Sequence, residues 1–148
     1  MSLLKRGTML PLSADKVVGL PLYILKQLQE TARQFDPEAE FRFVGGCVRD
    51  MMLGRDPKDI DVVTNTTADT LEQMGLENVG KAFPVYLYQD PTFGQMEVAV
   101  ARTEIRQGTG HGGFRTTHTR DFREDMLRRD LTINALMVDV NGVLHDSE

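Results

Sequence analysis

Two carboxylates, Asp59 and Asp61, have types and spacing suited to a hard cation. They lie at the start of an apolar run, residues 60–64, that predicts a short strand. Because strand side chains alternate between faces, residues two apart point the same way. Two carboxylates about 5 Å apart repel by roughly 3 kcal/mol at an effective dielectric near 20. A divalent cation would offset this repulsion, and magnesium is usually held by one or two carboxylates together with substrate phosphates.

A glycine turn just before these acids supplies a complementary feature. Gly45 and Gly46 lie between a predicted strand, Phe41–Val44, and a predicted helix over residues 47–53. Glycine accepts positive φ and lets the backbone approach a ligand closely, and the N–H groups at a helix start attract phosphate. Arg49 adds a charged donor fork. Either motif alone is more often a tight turn or a solvated acidic pair, so the prediction depends on both together.

The full string has a recognisable pattern. GGCVRD at 45–50 is followed by LGR at 53–55, DIDVVT at 59–64 and, far downstream, RRDLTINA at 128–135. This combination resembles the signature of the class II nucleotidyltransferases, the bacterial CCA-adding enzymes and poly(A) polymerases. ARTE at 101–104 and the glycine-rich segment 108–114 match as well. The resemblance covers most of the chain from 41 to 146 and is nearest to the CCA-adding enzymes of Gram-negative bacteria.

The resemblance implies an α+β fold, the polymerase-β-like head or palm. We expect a small, largely antiparallel sheet flanked by helices, with the carboxylates at one edge. Residues 1–20 are expected to form a leader without regular structure, and residues 21–148 the nucleotidyltransferase head domain. In this family an EDxxR motif in a neck domain beyond the head selects the incoming base. We expect that this chain ends before it and lacks the neck, body and tail.

The resemblance also assigns roles to individual residues. The expected catalytic and Mg²⁺-binding residues, for a site of two metal ions, are Asp59, Asp61 and Glu97. The expected nucleotide-binding residues are Gly45, Gly46, Arg49 and Arg129. The expected supporting residues around the site are Asp50, Arg55, Asp130 and Asn134. From the strand pattern alone, Glu97 is equally well a sheet-surface charge.

The implied reaction is the attack of a 3′-terminal tRNA hydroxyl on the α-phosphate of CTP or ATP, which transfers CMP or AMP. Phosphoryl and nucleotidyl transfers need charge neutralisation and in-line positioning more than covalent participation, and two divalent ions can provide both. Three alternatives stay open. The first is a poly(A) polymerase head. The second is a nucleotide- or RNA-binding module that is inactive without its neck and body, and the third is an interaction domain whose apolar face is exposed.

Composition is consistent with one soluble domain. The chain has 148 residues, 41% of them hydrophobic and 26% charged, and a net charge of −5. No apolar run is long enough to span a membrane, and the lone Cys47 favours a reducing cytoplasm and a buried thiol. Residues 102–129 hold seven arginines and four acids, a local positive balance that suits a phosphate-rich substrate. The oligomeric state is left open.

Turn and periodicity signals place the remaining elements. Apolar residues at three- and four-residue steps after Pro21, from Leu22 to Phe35, predict an amphipathic helix. We expect a helix from Thr66 or Thr67 to about residue 74, an antiparallel strand pair over 85–88 and 95–101, and a helix from Asp121. Residues 106–119 are expected to form a mobile loop. Asn141-Gly142 predicts a hairpin.

Overall fold

The computed structural model describes residues 21–55, 57, 59–106, 114–129 and 136–146, with residues 104–106 and 114–116 described by their backbone only. Its helices are α1 (Leu22–Ala32), α2 (Gly46–Met52), α3 (Ala68–Gln73) and α4 (Phe122–Arg128). Its strands are β1 (Phe41–Val44), β2 (Asp61–Thr64), β3 (Glu77–Asn78), β4 (Val85–Asp90), β5 (Gly94–Val100), β6 (Arg102–Arg106), β7 (Phe114–His118), β8 (Met137–Val138) and β9 (Leu144–His145). The expected leader over residues 1–20 lies outside the described residues.

A seven-stranded sheet in the order β3-β4-β5-β2-β1-β8-β9 forms the centre of the fold. Among the described strand pairs only β2 and β5 run parallel, so the sheet is largely antiparallel with flanking helices, and the predicted α+β fold is confirmed. The expectation that the carboxylates lie at one edge was wrong in one respect. The strand that carries Asp61 is the central strand, and Asp61 is its first residue, so the acids lie at a strand end rather than on an edge strand.

Helix α1 covers one face of the sheet. Its residues Ile24, Leu25 and Leu28 are buried in a core that also contains Phe41 and Phe43 of β1. This is the amphipathic helix predicted after Pro21. It ends at Ala32, however, and Phe35 lies beyond it with 46% of its surface exposed, so the assignment of Phe35 to the apolar face was wrong.

Helix α4 closes the opposite face with a smaller core. Phe122 and Met126 pack there with Val44 and Val63, whose sequence neighbours Phe43 and Val62 belong to the first core. The division follows from the alternation of side chains along a strand. Asp121 caps α4 by accepting a hydrogen bond from the backbone N–H of Arg123, as expected for a helix starting there.

Several other local predictions were confirmed. Thr67 caps α3 by accepting from the N–H of Thr70, β4 and β5 form an antiparallel hairpin, and Asn141-Gly142 joins β8 to β9. The expectation of a loop over residues 106–119 was wrong at both ends, because β6 and β7 pair as an antiparallel two-stranded sheet. The intervening residues 107–113 lie outside the described residues. Within the described part of the chain no helix has the length and apolarity needed to cross a membrane.

Candidate active site

Asp61 and Glu97 are brought together by the parallel pairing of β2 and β5. They are direct register partners, although 36 positions separate them in the chain. Glu97 is exposed, while its neighbours Met96 and Val98 are buried in the core on the other face of β5. Pairing and alternation therefore place both carboxylates side by side, on the face of the sheet opposite Val62, Met96 and Val98.

Asp59 lies in the bend that precedes β2 and is exposed. It therefore lies outside β2, which begins at Asp61, so the strand alternation from which the directions of Asp59 and Asp61 were predicted does not apply to it. It remains close enough to act on Asp61 electrostatically. Burial raises the pKa of the Asp61 carboxyl above its ordinary value, and the negative charges of Glu97 and Asp59 raise this pKa further. Arg129 lowers it in part.

The three predicted acids line one open cavity of about 390 Å³, together with Gln95. Crowded carboxylates of this kind form an all-oxygen donor set, which is the chemistry that Mg²⁺ prefers. The donor set therefore fits the ion. In the described part of the chain, however, no three acidic, histidine or cysteine side chains converge closely enough to surround a metal ion in this conformation.

A second cavity, of about 250 Å³, shares Asp61 and Glu97 with the first. Its other walls carry positive charge from Arg102, Arg128 and Arg129. The guanidinium of Arg102 lies over the ring of Phe83, with its central carbon 3.6 Å from the ring centroid. The site is thus a cleft of mixed charge, lined by both acids and arginines. A ligand with both a bound cation and phosphate groups could bind the carboxylates through its cation and the arginines through its phosphates.

Gly45 forms the turn where the chain passes the acids. Its φ of 82° and ψ of −143° lie in a region that side chains rarely adopt, and a Cβ added there would be 3.7 Å from Oδ2 of Asp61. The glycine is therefore required mainly by backbone conformation. The predicted close approach of this turn to the acidic site is present, since Gly45 lines the same cavity as Asp61.

Other predicted residues lie at varying distances from this cleft. Arg49 is exposed beside Gly46, with its Nε 3.7 Å from Oδ1 of Asp50. Neither Arg49 nor Asp50 lines either cavity. Arg55 is also exposed and lines neither cavity. Asp130 and Asn134 lie outside the described residues. The structure thus groups Asp59, Asp61, Glu97, Gly45 and Arg129, and leaves Arg49 at the periphery.

Sequence reasoning missed Asp125. This residue is 0% exposed, and its carboxylate accepts hydrogen bonds from the Nε atoms of Arg128 and Arg129, at 3.0 and 2.8 Å. Glu124 to Arg128 spell EDMLR, the letter pattern expected in a neck domain. Here the string lies in α4 of the head, and both carboxylate oxygens of Asp125 accept hydrogen bonds from the two arginines that follow it. The sequence does contain a signal for Asp125, because it lies three and four positions before two adjacent arginines and this spacing brings side chains together on a helix.

Most of the chain matches a known protein family. The family described as the poly(A) polymerase head domain matches residues 41–147. The chain is 46% identical over 106 residues to the CCA-adding enzyme of Pseudomonas entomophila, covering 70% of this chain and 28% of that protein. It is 48% identical over 107 residues to the multifunctional CCA protein of Shewanella denitrificans, covering 70% of this chain and 25% of that protein. This chain thus spans little more than a quarter of either relative.

Solved structures show the same architecture. The Bacillus stearothermophilus CCA-adding enzyme in complex with CTP superimposes with a TM-score of 0.67 at 26% identity, covering 87% of this chain and 30% of that one. An apo form of a CCA-adding enzyme gives a TM-score of 0.69 at 25% identity, covering 90% and 34%. Together with the match over residues 41–147, these likenesses show that the chain belongs to the poly(A) polymerase head domain family.

Proposed function

We propose that this chain is the nucleotidyl-transfer domain of a template-independent RNA nucleotidyltransferase that adds CMP and AMP to the 3′ end of tRNA. The observation that carries the proposal is that Asp61 and Glu97, paired across the sheet, line one cleft together with Arg128 and Arg129. The relatives named as CCA-adding enzymes, and the similar structure that holds CTP, support this substrate class.

In the proposed reaction the 3′ hydroxyl oxygen of the acceptor forms a bond to the α-phosphorus of CTP or ATP, and the hydroxyl proton is released to solvent. The bond from that phosphorus to the bridging oxygen breaks, and pyrophosphate leaves. Asp59, Asp61 and Glu97 would hold Mg²⁺. When bound, the ions supply neutralisation of phosphate charge and activation of the attacking hydroxyl. Arg128 and Arg129 would bind phosphate oxygens in the same cleft. Gly45, which has no side chain, would let the nucleotide approach the backbone of the turn closely.

A poly(A) polymerase is the second candidate, because the matching family carries that description. The two activities share the chemistry at the acids and differ in acceptor and in nucleotide choice. A nucleotide-binding module without turnover is the third.

One experiment separates these candidates. Each labelled nucleoside triphosphate is offered separately, with Mg²⁺, to tRNA that lacks its CCA end and to an oligo(A) primer. The test variant is Asp59→Ala with Asp61→Ala. The matched control is Glu30→Ala with Glu77→Ala, which removes two exposed acids that line neither cavity.

Incorporation of CMP and AMP onto tRNA that is lost in the test variant and kept in the control would support the proposal. AMP addition to oligo(A) alone would favour the polymerase. Nucleotide binding without incorporation, unchanged in the test variant, would overturn the assignment of the acids.

A further inference from the structure

We propose that Asp125 is a positioning residue that aims Arg128 and Arg129 at the phosphates of a bound nucleoside triphosphate. Its carboxylate is fully buried, and its two oxygens are divided between the two side chains, Oδ1 to Arg128 and Oδ2 to Arg129. Oδ1 also accepts the backbone N–H of Arg102, at 3.0 Å, which ties α4 to the start of β6. The inference rests on the proposed function, since it assigns these arginines a phosphate ligand.

The atoms used in these bonds favour positioning over simple charge neutralisation. Asp125 contacts each guanidinium through Nε, so the terminal Nη groups take no part in either bond. The two arginine side chains are only 15% and 20% exposed, yet both line the cavity that contains Asp61 and Glu97. A guanidinium held at its inner edge can present its outer edge to phosphate in a bidentate manner.

The location of Arg129 adds a second consequence. Arg129 lines the same cavity as Asp61 and Glu97, so its positive charge lies near both carboxylates. Released from Asp125, the long Arg129 side chain would be free to form an ion pair with Asp61 or Glu97 and so compete with a divalent cation. By holding both guanidinium groups, Asp125 thus leaves Asp61 and Glu97 available to a cation.

The test measures nucleotide affinity in the 148-residue chain. ATP and CTP are titrated with Mg²⁺ into the wild type, into Asp125→Asn, into the pair Arg128→Ala with Arg129→Ala, and into the triple variant. The effects of residues that act through one another do not add, so the comparison of these four proteins, a double-mutant cycle, shows whether Asp125 acts through the arginines. Asp139→Asn is the control, since Asp139 forms its own ion pair, with His145 at 2.8 Å, and lines neither cavity.

We expect Asp125→Asn and the double alanine variant each to weaken affinity roughly tenfold, as the loss of one or two charge-assisted contacts would do. In the double alanine background, Asp125→Asn should change affinity less than twofold. Asp139→Asn should lower the melting temperature and leave affinity unchanged. In ¹⁵N spectra, the Nε–Hε signals of Arg128 and Arg129 should be present in the wild type and broadened or lost in Asp125→Asn.

If Asp125→Asn does not fold, Asp125→Glu keeps the charge but displaces both guanidinium groups. It should fold and still bind nucleotide several-fold more weakly than the wild type. Wild-type affinity in a folded Asp125→Glu variant would overturn the inference. So would fold-changes of Asp125→Asn and of the double alanine variant that multiply in the triple variant. Unchanged affinity in the double alanine variant would overturn it too. In each case the proposed transferase stands if incorporation still depends on Asp59 and Asp61.

Discussion

Asp61 and Glu97 are neighbours in register across the parallel pair β2 and β5, and each raises the local density of negative charge. The pKa of Asp61 is raised first by burial and then by Glu97. The fold therefore places like charges side by side at the end of its central strand, which costs stability in the absence of a cation. Sites of this kind are where stability and function are expected to conflict.

The first prediction is that Asp61→Asn stabilises the metal-free protein. Like charges directly opposite each other in a sheet are destabilising, cross-strand pair interactions are roughly 0.2–1 kcal/mol, and the amide removes the repulsion while keeping the shape. Urea unfolding with EDTA at pH 7 should show a higher free energy of unfolding by about that amount. We expect Mg²⁺ with ATP to raise the melting temperature of the wild type and not that of this variant. Equal or lower stability in EDTA would contradict the like-charge account.

The second prediction concerns pH. The folded-state pKa of Asp61 lies above its ordinary value of 3.8, so the folded protein takes up this proton at a higher pH than the unfolded chain does. By linkage, the cost of ionised Asp61 is present at neutral pH and is relieved as pH falls through the folded pKa toward 3.8. The stability advantage of Asp61→Asn should therefore shrink between pH 7 and pH 4.

Other acids change stability in the opposite direction as pH falls, and their contribution must be subtracted. Burial alone would raise the pKa of Asp36 and Asp139, but hydrogen bonds and ion pairs outweigh it and lower the pKa of both. Their stabilising contributions are therefore present above their ordinary pKa and are lost as pH falls through the folded one. Both residues are present in the wild type and in Asp61→Asn, so the difference between the two unfolding curves isolates Asp61. A difference that grows on acidification would show that Asp61 is not the group concerned.

The third prediction separates the two adjacent glycines. Gly45→Ala places a side chain at φ 82°, which should cost about 1–3 kcal/mol of stability through backbone strain. Gly46 has no such φ, and a Cβ there would lie 3.3 Å from Nη2 of Arg49, the end of a flexible and exposed side chain. Gly46→Ala should therefore change stability by less than about 0.5 kcal/mol, the usual range for sites without a special conformation.

Thermal and urea unfolding of the two variants, with nucleotide titration alongside, check this difference. If Arg49 binds phosphate, Gly46→Ala should weaken nucleotide affinity while it leaves the melting temperature nearly unchanged. Equal losses of stability in the two variants would show that the positive φ of Gly45 is not what the turn requires.

The fourth prediction concerns Cys47. Burial raises the pKa of its thiol to about 11 from an ordinary 9.0, and the sulfur donates to the carbonyl oxygen of Val44 at 3.3 Å. At pH 8 the shifted pKa alone lowers the thiolate fraction roughly a hundredfold, and burial blocks access further. Labelling by a thiol reagent should be at least a hundredfold slower in the native protein than in urea. Rapid native labelling would contradict the buried, unreactive thiol that the sequence predicts.

The fifth prediction tests the segment that carries Phe83 to the cleft. A Cβ on Gly80 would lie 2.0 Å from the carbonyl oxygen of Phe83 and 2.8 Å from the backbone nitrogen of Val85, so the backbone itself would have to move. Gly80→Ala should cost more than about 2 kcal/mol. Lys81→Ala, at the exposed neighbouring position, should be nearly neutral in the same urea titration. A neutral Gly80→Ala would mean that the turn can rearrange freely.

Local patterns were sufficient for much of the fold. The helix after Pro21, the cap at Thr67, the alternating strand through Glu97 and the Asn141-Gly142 turn each depend on residues close together in sequence, and each was predicted. Family strings pointed to Asp59, Asp61 and Arg129, because short motifs keep chemistry-bearing residues at constant spacing. The failures have the same origin. A run of glycine and threonine concealed the β6 and β7 pair, whose register depends on contacts across the hairpin.

The sequence by itself determined which residue types were available: acids beside a glycine turn and arginines at the end of a helix. Only the tertiary structure decided that β5 inserts beside β2 and places Glu97 opposite Asp61. It likewise decided that α4 packs on the second face of the sheet, where Asp125 is buried and its two arginines line the cleft. The reason is physical. Parallel pairing and the packing of a helix on a sheet join residues distant in the chain, and these contacts have no local signature in the sequence.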